Sequence, residues 1–419
     1  MMRERTAHAV TALAVLPGLF LFGLGLLDQW RRLRLATGHG LGFTDPACTT
    51  GYCDYTMFWL AGFLARHGGA LYDHARYAAA AAAILPYKTG YWPFVYPPTF
   101  LLPAMAISFA PLVAGYYGFC LLTTALSIFL LRCAGIARWC ILAGLAGPAA
   151  MWNLYLGQFG MLCGALLLAG LTWMEAKPAR AGGMLALLCI KPQYALLAPI
   201  VVLAGRYWRV MLVGLLVVFL LVGLSLVCGV KNWAGYLGPG RAAMKTLLEN
   251  PFGTYEVMGT SVFWMARSLG ASIGGAYISQ ALATCLAALL VWHLWRAPAA
   301  DTMRRAAATV FLTLLASPYG FTDDLAVYSV LLPALARRDT PWRNAALAWL
   351  WVAPAFVPRF VAIFGFLPTP LLIMGAACLA YTLRSRNSPC SPNRLANPRE
   401  RRHGARDPAS SAASHSTTS

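Results

Sequence analysis

Residues 210–230 read VMLVGLLVVFLLVGLSLVCGV, an uncharged run crowded with Leu and Val. A helix needs about 20 apolar residues to cross the roughly 30 Å of bilayer hydrocarbon. Inside lipid each backbone N–H and C=O must be satisfied within the segment, so a run of this kind is a transmembrane helix. Arg206 and Arg209 precede it, and Lys231 follows it. Outward from this run, comparable stretches recur from Val10 to Tyr381 with no polar domain between them. Of the 419 residues, 59% are hydrophobic and 11% charged, against about 25% charged in a soluble domain. The expectation is an all-α, polytopic membrane domain over residues 1–383, with about twelve transmembrane helices.

The formal net charge of +19, from 33 Lys+Arg against 14 Asp+Glu, would raise nucleic acid in a soluble chain. No nucleic-acid-binding module accompanies it. The basic residues sit mostly in short loops and the tail, where they fix topology and meet anionic headgroups. Of the eleven cysteines, Cys120, Cys163, Cys189, Cys228, Cys285 and Cys378 fall in apolar spans and read as small core residues. Cys48 and Cys53 flank Thr49-Thr50-Gly51-Tyr52 in an outer loop, where a disulfide is permitted but not shown by spacing. No Cys/His pattern with zinc spacing is present, and neither metal nor cofactor is expected.

Positive residues on short loops mark the cytoplasmic side. Arg3 and Arg5 start inside, and the first apolar stretch, Ala9 to Leu27, reads as a retained span because it lacks a convincing cleavage site. It delivers a long outer segment, 28–112, with juxtamembrane helices; Arg31, Arg32 and Arg34 in it run against the charge rule. Residues 99–112, broken by Pro103 and Pro111, suit a re-entrant or interfacial segment. Spans follow at about 113–131, 139–155 and 159–175, then a hairpin at 182–205 with Lys191-Pro192 at its tip, then 210–230. A second outer loop, 231–270, leads to spans at about 275–295, 306–318, 324–336, 342–357 and 361–383, which puts both termini in the cytoplasm. Residues 384–419, rich in Arg, Ser, Pro and Asn, have the composition of a disordered basic tail whose Arg399, Arg401 and Arg402 rest near anionic lipid.

An ionisable residue at membrane depth is costly and is a functional candidate by default. On this topology Asp54, Gln158, Lys191, Asp323 and Asp324 all fall at outer helix ends. Asp54, before an aromatic stretch with Phe58, Trp59 and Phe63, is a solvated loop residue, a helix cap, or a general base whose pKa partial desolvation lifts. Lys191 wants an anion: a lipid phosphate, or one of the aspartates, unless it snorkels to the interface. Asp323 and Asp324 cap a helix or bind sugar hydroxyls or a divalent ion; because neighbouring side chains on a helix diverge by about 100°, a shared proton or metal is not favoured. Asn153 and Gln158 can bond sugar hydroxyls or satisfy backbone at a helix break. Tyr91, Trp92, Phe94, Trp233 and Tyr236 read as an interfacial belt or a sugar-stacking platform.

The order of short motifs resembles glycosyltransferase family 87, the polyprenol-phosphate-mannose-dependent mannosyltransferases of GT-C fold. It rests on Asp54 followed by Leu71-Tyr72-Asp73, Phe94-Val95-Tyr96-Pro97-Pro98, Asn153 with Gly157-Gln158, Lys191-Pro192-Gln193 and Ser317-Pro318. The resemblance implies a lipid-phosphate sugar donor, transfer on the extracytoplasmic face, Asp54 as general base, and Tyr96, Gln158 and Lys191 lining the donor cavity. Many family members carry His a few residues after the Ser-Pro, where this chain has Asp323 and Asp324. The expected location is the plasma (inner) membrane. The expected partners are a polyprenyl-phosphate sugar, a glycolipid or glycan acceptor and membrane lipid. The expected reaction is inverting hexosyl transfer, with Lys191 or Arg241 stabilising the leaving phosphate. The rival readings are a lipid or sugar transporter or flippase, against which stands the lack of an internal repeat, and a non-catalytic envelope assembly partner.

Overall fold

The computed structural model describes residues 2–38, 54–85, 93–250, 258–297, 301–337 and 340–382. The expected Cys48–Cys53 pair, Tyr91, Trp92 and the basic tail lie outside the described residues. Among the described residues the ordered elements are all helical, and the only β-type contact is an isolated bridge between Gly259 and Phe321.

In chain order the helices are α1 (Met2–Gly38), α2 (Asp54–Arg66), α3 (His74–Ile84), α4 (Leu101–Ile107), α5 (Leu112–Cys133), α6 (Arg138–Leu145), α7 (Pro148–Leu156), α8 (Gly160–Thr172), α9 (Pro178–Leu187) and α10 (Ala198–Ala204). There follow α11 (Trp208–Ser225), α12 (Val230–Gly235), α13 (Arg241–Glu249), α14 (Val262–Ser268), α15 (Ile273–Arg296), α16 (Thr302–Ala316), α17 (Ala326–Ala334), α18 (Pro341–Val352), α19 (Val357–Phe364) and α20 (Thr369–Tyr381).

By length and composition four stretches can cross a membrane: Glu4–Arg31, Leu112–Cys133, Trp208–Cys228 and Ile273–Arg296. Two bent pairs, α6 with α7 at 63° and Pro341–Ala355 with α19 at 74°, raise the number to six. The other apolar helices are shorter, so the described residues do not form twelve continuous spans. The breaks have local causes. Pro148 follows Gly147 between α6 and α7, and Pro192 follows Lys191 at the expected hairpin tip; proline removes a helical N–H and disfavours a helical residue before it. The expected span 361–383 is likewise interrupted, because Gly365 ends α19 in the left-handed region (φ 72°) and Pro368 precedes α20 as its cap.

The outer helices display apolar side chains: Leu212, Leu215, Phe219 and Leu220 on α11, and Ile278, Leu282, Leu286 and Leu289 on α15, are exposed. In water each would forfeit about 1.5–3 kcal/mol of burial, whereas lipid tails solvate them without loss. Cys285 and Cys378 are also exposed, which corrects their assignment to the core; Cys120, Cys140 and Cys163 are buried.

At the centre, α8, α16 and α17 are buried along nearly their whole length. Close approach explains the packing of α17. A Cβ on Gly144 or Gly164 would come within 2.3 Å of Val330 or Val327 respectively, so small residues on α6 and α8 let α17 fit between them. At the start of α16, the Arg305 guanidinium meets Glu175 at 2.9 Å, while Arg304 and Arg343 donate to the Tyr381 and Leu379 carbonyls at the end of α20. Cations there satisfy carbonyls that the helix leaves open.

Candidate functional site

Asp54 opens α2, and its Oδ2 accepts a 2.6 Å hydrogen bond from Gln158 Nε2. Gln158 reaches it because Gly157 ends α7 in the left-handed region, φ 65°, and turns the chain. A Cβ on Gly157 would also lie 2.5 Å from the Tyr55 Cβ, so both conformation and space demand glycine. The Gln158 amide also meets the Tyr96 hydroxyl, with Nε2 and Oε1 at 3.1 and 3.3 Å. Directing the amide N–H at the carboxylate is the orientation that gives an acceptor a donor.

Tyr96 is held in turn by the segment around it. Pro97 is extended (φ −66°, ψ 156°), and the Tyr72 hydroxyl donates to the Tyr96 carbonyl at 2.6 Å. The Leu71-Tyr72-Asp73 motif therefore has two structural tasks: Tyr72 fixes Tyr96, and Asp73 caps α3 by accepting from the Arg76 N–H at 3.1 Å. An aromatic cluster supports the tyrosine ring, with Phe100 and Phe159 stacked at 5.0 Å and Phe58 meeting Tyr96 edge-on at 5.0 Å.

Lys191 lies between two short 3-10 turns, with its Nζ 5.6 Å from the centre of the Phe159 ring. Its Nζ is 3.3 Å from Asp323 Oδ2 and in contact with Asp324 Oδ1. The divergence expected of neighbouring carboxylates does not stop them sharing a partner, because they lie on the tight turn Thr322–Leu325 and a long lysine reaches both. Their surroundings differ. Asp324 also accepts from the Tyr194 hydroxyl at 3.0 Å and from the Phe321 N–H at 3.1 Å, whereas Asp323 lines the cavity. Lys191, Asp323 and Asp324 are only 3%, 2% and 1% exposed, so each charge depends on the others for compensation.

Asp54, Tyr96, Gln158, Lys191 and Asp323 line one cavity of ≈ 140 Å³. Met244, Leu247 and Leu248 of α13, with Trp264, Tyr319 and Phe321, complete its wall. Burial pushes the Asp54 carboxyl up to about 6, against the lowering effect of the Gln158 hydrogen bond and the Lys191 charge. A carboxyl that titrates near neutrality is suited to general-base work. Burial also keeps the Tyr96 hydroxyl protonated by raising its pKa above the ordinary range.

Three expected residues stand apart from this wall. Asn153 caps α8, its Oδ1 accepting from the Met161 N–H at 3.2 Å, and does not line the cavity. Arg241, exposed at the start of α13, does not line it either, although its charge reaches the Tyr236 and Tyr319 hydroxyls. Asp324 is tied into the structure behind Asp323. In the other direction, Tyr194, Trp264 and the apolar face of α13 escaped the sequence reading. Tyr194 directly follows the Lys191-Pro192-Gln193 motif, and that adjacency was the available signal. Trp264 lines the cavity, and its buried indole N–H has no hydrogen-bond partner among the described residues.

The model of glycosyltransferase family 87 matches residues 94–318, more than half of the chain. The matched stretch holds Tyr96, Asn153, Gln158, Lys191 and Arg241, while Asp54, Asp323 and Asp324 lie outside it. Neither the curated proteins nor the solved structures give a match. With its membrane-length apolar helices and this match, the chain belongs to glycosyltransferase family 87 and is a membrane-helical glycosyltransferase.

Proposed function

We propose that the chain transfers a glycosyl residue, mannose or another hexose, from a polyprenyl-phosphate donor to a hydroxyl of an envelope glycolipid or glycan on the extracytoplasmic face. The observation that carries this reading is the Asp54–Gln158 hydrogen bond, which holds a desolvated carboxylate on the same cavity as Lys191. Asp54 takes the proton of the acceptor hydroxyl as its oxygen attacks the anomeric carbon, and the polyprenyl phosphate leaves with the electrons of the broken bond. Attack opposite the leaving group inverts the anomeric configuration.

Lys191 supplies positive charge for the departing phosphate. Asp323 offers a carboxylate to sugar hydroxyls, and the Met244, Leu247 and Leu248 face suits the first isoprene units beyond the phosphate. Arg241, exposed and outside the cavity lining, adds its charge from a distance. A phosphate leaves without help from an acid, so a single base suffices for the transfer.

The test is incubation of the purified, reconstituted protein with radiolabelled polyprenyl-phosphate sugars and a membrane lipid extract, comparing wild type with Asp54→Asn. Labelled glycolipid made by wild type alone supports the reading. Equal transfer by both proteins removes Asp54 as base, and movement of the donor across vesicles with no glycosidic product replaces the transferase with a transporter.

A further inference from the structure

A second chamber, of ≈ 160 Å³, also has Gln158 in its wall, so the glutamine separates it from the first. Phe22 and Leu26 of α1, Cys120 and Thr124 of α5, and Met151 and Asn153 of α7 are among the residues that line it. Phe22 and Leu26 precede the family match, which begins at residue 94, so the α1 side of the wall lies outside the matched stretch and the α5 and α7 sides lie within it.

Little of the polarity of this wall is open to a guest. Asn153 is 7% exposed, and its Nδ2 has no hydrogen-bond partner among the described residues. The amide cannot be turned round to remove the problem, because Oδ1 already accepts from the Met161 N–H at 3.2 Å. The Nδ2 donor is itself buried, enclosed by protein rather than open to the chamber, so it has nothing to offer a guest. Of the other polar side chains of the wall, Thr123 donates to the Phe119 carbonyl at 2.8 Å and Gln158 serves Asp54 and Tyr96, which leaves the Thr124 hydroxyl. A buried water needs two to four polar partners, whereas apolar cavities of about 150 Å³ stay dry and accept apolar guests.

The neighbouring surface identifies the source of the guest. Leu19, Leu24 and Leu27 on α1 and Leu121, Leu122 and Phe129 on α5 are exposed, and both helices have the length and composition of membrane spans. The chamber therefore lies between two helices that face bilayer hydrocarbon. We propose that it binds a segment of an acyl chain of a bilayer phospholipid. The bound chain packs behind Gln158 and backs the amide that holds Asp54. This inference concerns a non-reacting lipid and stands apart from the proposed transfer reaction.

The experiment reconstitutes the full chain in phosphatidylcholine vesicles containing phosphatidylcholine with a diazirine in one acyl chain, photolyses it and maps the adducts by peptide mass spectrometry. Adducts on Cys120, Met151 or Met161 are expected, besides those on outward-facing Leu122 and Phe129. Thr124→Trp, from one wall, and Leu26→Trp, from the other, each fill the chamber and are expected to lower the inner adducts at least fivefold while leaving the outer ones unchanged. Two variants guard against one failing to fold, and retained outer labelling with an unchanged melting profile certifies each. Wild-type labelling confined to outward-facing residues, or inner labelling that both folded variants retain, overturns the proposal. No sugar donor is present, so the outcome does not depend on whether the transfer reaction is correctly assigned.

Discussion

Gln158 Nε2 donates to Asp54 Oδ2 at 2.6 Å across 104 positions of sequence, and this bond sets the carboxylate at the cavity wall. A hydrogen bond to a charged group is worth about 1.5–3 kcal/mol. Gln158→Leu removes the donor and leaves Asp54 to burial. Transfer is expected to fall roughly 10- to 100-fold, with the acid limb of the pH profile moved to higher pH, because less now favours the ionised form. An unchanged acid limb in a folded variant would show that Gln158 does not hold the base.

Wild-type activity is itself expected to depend on pH through Asp54. With its pKa lifted to about 6 by burial, the carboxyl is protonated below that value and free to act above it. Activity should therefore rise as pH passes through about 6 and lose roughly tenfold between pH 7 and pH 5. Stability runs the other way. The folded chain binds this proton more tightly than the unfolded chain, so the stabilisation is full below the ordinary value of 3.8 and is lost as pH rises through about 6. Initial rates and melting temperatures across buffers, beside Asp54→Asn at each pH, check both trends and their owner.

Replacing Asp54 by Asn keeps the shape of the side chain and removes the base. A loss of about 10²- to 10⁴-fold in turnover is expected, with little change in melting temperature, since the neutral amide does not resist burial as a carboxylate does. Radiolabel transfer and thermal unfolding in the same detergent measure the two effects separately.

Lys191 is 3% exposed and compensates two buried carboxylates. Lys191→Met strands both and is expected to destabilise the protein by about 3–5 kcal/mol. Lys191→Arg keeps the charge but brings a planar group into a space shaped for an ammonium, so a smaller loss is expected. Between the aspartates, Asp324→Asn should cost more stability than Asp323→Asn, because Asp324 also receives the Tyr194 hydroxyl and the Phe321 N–H. Asp323→Asn should chiefly raise the KM for the donor. Thermal unfolding and transfer kinetics on the same preparations test this division.

Gly157→Ala combines a left-handed backbone, φ 65°, with a Cβ placed 2.5 Å from Tyr55. The conformation alone costs an alanine about 1–2 kcal/mol, and the crowding adds to it. Because the displaced residue is next to Gln158, activity is expected to fall further than the melting temperature suggests. Transfer rates measured well below the unfolding transition separate misplacement of the amide from loss of folded protein.

The residues by themselves determined that this chain is helical and apolar enough for a membrane. The run at 210–230 is too long and too apolar for the surface of a soluble domain, and α11 lies where its composition placed it. Hydropathy implies continuous spans where the helices break, because it is a property of a window, whereas a helix ends at a single residue. Gly365 and Pro368 interrupt the last expected span, and the 63° bend between α6 and α7 is invisible to any average.

Asp54, Gln158, Lys191, Asp323 and Asp324 were legible as candidates because polar groups are scarce in such a chain. Which of them meet was not legible. The triple contact among Lys191, Asp323 and Asp324 and the bond from Gln158 to Asp54 depend on how helices far apart in sequence pack. Of the two readings open to Asn153, partner of a sugar or of the backbone, its Oδ1 takes the second, since an amide follows whichever group the fold presents. The apolar wall from α13 and the indole of Trp264 carried no signal at all. In an apolar chain one more Leu or Trp is unremarked until the tertiary structure turns it toward a cavity.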